Sequence, residues 1–95
     1  MPDVRREATR PASGRYVISV DGVDAGFSMY GERDGIVTFR HTEVDPSFEG
    51  QGLGSALARG ALDDARSRGL KVKALCPFIS SYLKRHPEYE DLVVT

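Results

Sequence analysis

Glycines 50, 52 and 54 occupy alternate positions of Glu49-Gly50-Gln51-Gly52-Leu53-Gly54-Ser55, between a stretch patterned as a strand and one patterned as a helix. A turn of this kind gathers backbone N–H groups at a helix N-terminus, where the helix dipole favours an anion. Glycine matters there because a pyrophosphate must come close to the main chain, and any Cβ would hold it away. Gly50, Gln51, Gly52, Leu53, Gly54 and Ser55 are therefore read as a phosphate cradle. The plain alternative is a helix-initiating loop without a ligand. A Walker loop is excluded because Leu53-Gly54-Ser55 supplies no lysine for a terminal phosphate. A dinucleotide fingerprint starting at Gly50 would need Gly or Ala where Ser55 stands, and no acidic residue follows at the required distance.

The flanking patterns place that turn in a fold. Tyr16, Ile18 and Val20 alternate with Val17 and Ser19, Asp21-Gly22 supplies a turn, and Ala25 to Glu32 forms a second run. Asp34-Gly35 repeats the turn and leads into Ile36 to Val44, closed by Asp45-Pro46. The expectation is three strands in an antiparallel meander. Beyond the glycines, Leu53, Leu57, Ala61 and Ala65 recur at helical spacing, with Gly69 at the helix end and Gly60 in its interior, where tight packing would explain it. Leu70 to Leu75 reads as a strand, so strand, helix and strand make a right-handed crossover with parallel strands. Pro77 opens a short helix to about Arg85, Pro87 ends it, and Tyr89 and Leu92 pack the tail back. The first 14 residues are read as a loop, with Val4 to Ala8 able to form an edge strand.

With 95 residues the chain is expected to form one domain, residues 1–95, folded as a monomer. Thirteen basic against 14 acidic residues give a formal net charge of -1, which offers no bulk attraction to nucleic acid or to an anionic membrane. No apolar run approaches a spanning helix or a signal peptide, and the expected location is the cytoplasm. Cys76 is the single cysteine and has no neighbours at zinc spacing, so no metal is expected and the thiol is either packed or reactive.

The order of meander, strand, glycine turn, helix and parallel strand resembles the acetyl-CoA-binding half of the GNAT acetyltransferase superfamily. Its signature is Arg or Gln, two residues, Gly, one residue, then Gly or Ala; Gly52 and Gly54 match, and Glu49 stands at the first position. His41-Thr42-Glu43-Val44, Gly50 to Leu57, Leu75-Cys76-Pro77-Phe78, Tyr82 and Arg85-His86-Pro87-Glu88-Tyr89 together resemble the minimal, single-domain GNAT proteins. The implied fold is α+β: an antiparallel meander, then a β-α-β crossover with splayed parallel strands and a short C-terminal helix. The implied activity is acetyl transfer from acetyl-CoA to a primary amine, such as a protein lysine or N-terminus. The other reading is a non-catalytic coenzyme A sensor or interaction module. Such proteins lack the helices that build an acceptor pocket in larger relatives, so the acceptor site must be open or borrowed.

By the same resemblance, the pantetheine arm lies between the splayed strands and bonds the main chain of Thr42, Glu43 and Val44. The strand ends then carry the candidates for chemistry. His41 and Glu43 are rival bases for the amine, each with an alternative as a strand or surface residue. Cys76 precedes a helix start that would favour its thiolate, or is a small buried hydrophobe. Tyr82 falls near the position of a tyrosine that protonates the leaving sulfur in larger relatives, or is a core aromatic. Lys84, Arg85 and His86 cluster nearby, able to meet coenzyme phosphates or, as is commoner at a helix end, to stand as solvated charge.

Overall fold

The structure, a computed structural model, describes residues 2–48 and 50–94; Glu49, and with it the signature's first position, lies outside the described residues. Strands β1 (Pro2–Arg10), β2 (Ser13–Val20), β3 (Val23–Arg33) and β4 (Ile36–Val44) form an antiparallel meander. A 3-10 turn over Pro46–Phe48 leads to helix α1 (Leu53–Ser67), then to strand β5 (Lys71–Ala74), helix α2 (Pro77–Arg85) and a 3-10 segment, Pro87–Leu92. The sheet order is β1-β2-β3-β4-β5, with β5 parallel to β4.

The turns at Asp21-Gly22 and Asp34-Gly35 put both residues at positive φ, the twist that two-residue hairpins need. The meander has four strands rather than the expected three, because residues 2–10 are a full strand paired from Pro2↔Val20 to Arg10↔Ser13. No apolar alternation announces β1, since it is an edge strand with only Val4 and Glu7 partly buried. It is held by pairing and by cross-strand charge: Arg15 donates to Glu7 at 2.9 Å, and Arg5 reaches Asp24 at 3.0 Å.

One sheet face carries Tyr16, Ile18, Tyr30, Val37 and Phe39 into a common core with Leu57, Ala61 and Leu62 of α1, Ile79 and Tyr82 of α2, and Tyr89 and Leu92. Two tyrosine hydroxyls tie the layers. Tyr16 donates to Asp64 at 2.6 Å and Tyr89 to Asp63 at 2.7 Å. Gly60 is explained as its interior position suggested: a Cβ there would meet the Val4 side chain at 2.7 Å, so glycine lets β1 and α1 approach. The other sheet face carries Arg15, Val17, Phe27 and Met29, and Met29 is 47% exposed. Among the described residues no helix packs over it.

Candidate active site

The glycine turn is shaped by backbone need as much as by space for a ligand. Gly50 and Gly52 have φ of +86° and +70°, a region that side chains disfavour, and a Cβ on either would project into open space. Gly52 is the N-cap of α1 and offers no side-chain cap, so the first-turn amides of Leu53, Gly54 and Ser55 lack an intrahelical acceptor. The first turn also holds no acidic residue to compete with an anion. Gly54 has a different reason: a Cβ there would lie 2.5 Å from the Phe78 ring, so its bareness lets α2 start against the start of α1. The turn thus presents main-chain donors without a side-chain cap, and Gln51 and Ser55 are exposed beside them.

Leading away from the cradle, β4 and β5 part. Their pairing runs from Ile36↔Lys71 to Phe39↔Ala74 and stops there, with the N–H groups of Leu75 and Cys76 both donating to the Phe39 carbonyl. At that level β4 carries a bulge: Tyr30 pairs with Phe39 and Met29 with His41, leaving Arg40 unmatched. A bulge bends its strand and interrupts the ladder, which separates β4 from β5 beyond it. The Asp45 N–H donates to Ala25 on the β3 side. By the alternation of a strand, Glu43 turns its peptide groups the same way, and Thr42 and Val44 turn theirs into the opening. Of the three residues expected to offer main chain, Thr42 and Val44 thus turn their peptide groups into the opening and Glu43 turns its own toward β3.

The bulge also reverses which face each later side chain takes. Thr42 and Val44 fall on the core side with Phe39: Val44 packs against the core, and the Cys76 thiol donates to Thr42 Oγ1 at 3.3 Å. Thr42 Oγ1 in turn lies 2.9 Å from the hydroxyl of Ser28, a fully buried residue. Sequence reading missed Ser28, because only the β3–β4 register brings it opposite Thr42. His41 and Glu43 lie on the uncovered face, His41 Nε2 3.3 Å from Glu43 Oε2, with the His41 ring tilted against Phe27 at 6.2 Å. The structure thus brings together His41 with Glu43 and Cys76 with Thr42, and sets the two pairs on opposite sides of the sheet.

Cys76 is 3% exposed and serves as the N-cap residue of α2 without capping it. Tyr82 is buried, stacked on His86 with ring centroids 3.8 Å apart. Its hydroxyl neighbours Arg59 of α1 and favours the charged guanidinium. The Asp45 carboxyl is held below its ordinary range, chiefly by the Ser47 N–H and then by the Ser47 hydroxyl, which fixes the corner between β4 and the cradle. Among the described residues no group of three or more His, Cys, Asp or Glu is arranged to hold a metal ion.

A mixed sheet whose parallel strands part at a bulge, with an uncapped helix start at the mouth of the opening, defines the fold of the acyl-CoA N-acyltransferases. The GCN5-related N-acetyl-transferase family model matches residues 15–92, and the chain belongs to that family. It is 38% identical over 52 residues to protein NATD1 of Homo sapiens, covering 55% of this chain and 46% of that protein. The chain spans about half the length of the NATD1 relatives it matches. A GCN5-like putative N-acetyltransferase from Staphylococcus aureus superposes with a TM-score of 0.70 at 22% identity, over 97% of this chain and 87% of that one. AAC(6')-Iy, solved with a CoA-containing bisubstrate analogue, gives a TM-score of 0.63 at 14% identity, over 94% and 89%. At such identities the structural likeness shows the fold.

Proposed function

We propose that the protein transfers the acetyl group of acetyl-CoA to a primary amine presented on a protein or peptide. The observation that carries this reading is a pair of main-chain features, the uncapped first-turn amides of α1 and the peptide groups of Val44 and Thr42 that turn away from β3. A diphosphate is suited to the first and an extended pantetheine amide chain to the second, which is strand addition by a cofactor. The thioester then lies where β4 leaves β5, beside Thr42 and Cys76. The amine approaches from the uncovered face, past His41 and Glu43.

The chemistry follows from those positions. The amine nitrogen attacks the thioester carbonyl carbon, the C–S bond breaks, and coenzyme A leaves as thiolate, which takes up the proton the new amide nitrogen gives up. A lysine-like amine is almost wholly protonated at neutral pH, so its proton must be taken up as it enters. His41 accepts it, and the Glu43 carboxylate at 3.3 Å stabilises the resulting imidazolium. Cys76, buried and bonded to Thr42, walls the opening in a direct transfer, so no acetyl-cysteine is needed. The acceptor face is open to solvent, with a cavity of about 370 Å³ beside Phe27 and Glu43, room for the end of an amine side chain carried on a larger body.

The test is release of coenzyme A from acetyl-CoA across a panel of amines and basic peptides, with Cys76→Ala alongside. Turnover with at least one amine, retained in Cys76→Ala, supports direct transfer. Binding of acetyl-CoA without turnover on any amine would instead identify a coenzyme sensor.

A further inference from the structure

The proposed coenzyme path runs along β4 beyond its pairing with β5, and the outer side of β5 is left unaccounted for. The Lys71 N–H donates to Gly35, just before β4, and the Leu75 N–H to Phe39 of β4, so alternation turns the peptide groups of Val72 and Ala74 outward. The Val72 carbonyl accepts from the Val94 N–H, in a single bridge to the C-terminal segment. Nothing among the described residues bonds the outward N–H and C=O of Ala74. Beside them runs a groove of about 750 Å³ between β5, the last turn of α2 and the C-terminal segment, floored by Ala74, Leu83, Val93 and Val94. Val93, an apolar side chain left 36% exposed, lines this groove.

We propose that this edge takes an extended, acidic segment of a partner protein as an added strand, its backbone paired with Ala74 and its carboxylates set against Lys73 and Lys84. Both lysines line the groove, and neither has an ion pair among the described residues, whereas Lys71 is tied to the Asp91 carbonyl at 2.9 Å. Glu90 is the one carboxylate among the described lining residues, against two lysines, so these residues carry an excess of positive charge. That charge selects the occupant. A second copy pairing edge to edge would bring Lys73 and Lys84 toward their own counterparts, and like charges facing across a strand pair are unfavourable. The opposite edge of the sheet, β1, is closed to such pairing: its Arg5, Arg6 and Glu7 are already in ion pairs, the charged edge by which proteins discourage strand addition. Strand addition draws affinity from the main chain and specificity from side-chain pockets, which here are apolar with a cationic rim.

The experiment is fluorescence anisotropy of a labelled heptapeptide of alternating valine and glutamate against its valine–lysine counterpart, at low salt. Lys73→Glu/Lys84→Glu and Ala74→Pro are tested beside the parent, with circular dichroism confirming that each is folded. The glutamate peptide should bind and the lysine peptide should not. The charge-reversed variant should lose at least about tenfold in affinity, and added salt should weaken the parent complex. Ala74→Pro, which removes the outward donor while leaving both lysines, should also weaken it. Absence of binding up to millimolar peptide would overturn the proposal. So would equal binding of both peptides, unchanged affinity in the variants, or a chain that dimerises through this edge in solution. Because the coenzyme opening lies on the other side of β5, the outcome is independent of whether acetyl transfer is observed.

Discussion

Arg40 has no partner opposite it on β3, and every side chain beyond it on β4 is turned over as a result. Without the bulge, His41 and Glu43 would point into the core with Phe39, and Thr42 and Val44 would face solvent. With it, an imidazole and a carboxylate 3.3 Å apart meet whatever approaches the uncovered face. If His41 takes the amine proton, His41→Gln should lower turnover by about 10²-fold. Glu43→Gln should lower it less, since that carboxylate only stabilises the imidazolium. Neither change should alter acetyl-CoA affinity in calorimetry, because neither side chain faces the cradle. Acid should act at other residues. The Asp45 carboxyl is depressed by Ser47 and the Asp91 carboxyl by Arg66, so each contributes stability that is whole above the ordinary carboxylate range and is lost as pH falls through its lowered native value. Urea midpoints should therefore decline below about pH 4, and Ser47→Ala should show less of that decline.

At the scale of elements, the contact of β1 with α1 rests on a missing methyl group. Gly60→Ala should gain about 1 kcal/mol of helix propensity, yet its Cβ would stand 2.7 to 2.9 Å from Val4 atoms. Overpacking costs about 1–3 kcal/mol, so net destabilisation in chemical denaturation is expected. In a Val4→Gly background the same substitution should become neutral or stabilising. Only half of that contact was legible in the chain. The glycine inside an amphipathic helix flagged close packing, whereas β1 gave no periodic signal because both of its faces are largely wet. The hairpins, α1, α2 and the crossover were legible, since Asp-Gly turns, four-residue spacing and Pro77 act locally. The bulge at Arg40 and the pairing of Ser28 with Thr42 were not, because both depend on the register between strands. Gly54 was read as making room for a ligand, and the structure adds Phe78 as a neighbour that the sequence placed 24 positions away.

The whole molecule is a slab of 35 × 30 × 20 Å with helices on one side and an uncovered sheet face on the other. A domain this small has little stability in reserve, so a ligand that bridges β4 and α1 should show in its melting behaviour. At a hundredfold excess over Kd, coenzyme binding contributes about 2.7 kcal/mol. For a domain of this size that corresponds to a rise in Tm of roughly 10 to 20 °C. Since the grip is assigned to main-chain donors, Ser55→Ala should keep the shift. Gly52→Ala, which strains a φ of +70°, should lose much of it. Isothermal titration with coenzyme A, followed by a crystal structure of the complex, tests the central claim most directly. One molecule should bind per chain, its diphosphate on the amides of residues 52–55 and its pantetheine arm along the peptide groups of Thr42 and Val44. Absence of heat at millimolar coenzyme, or a coenzyme seated away from the opening between β4 and β5, would contradict it.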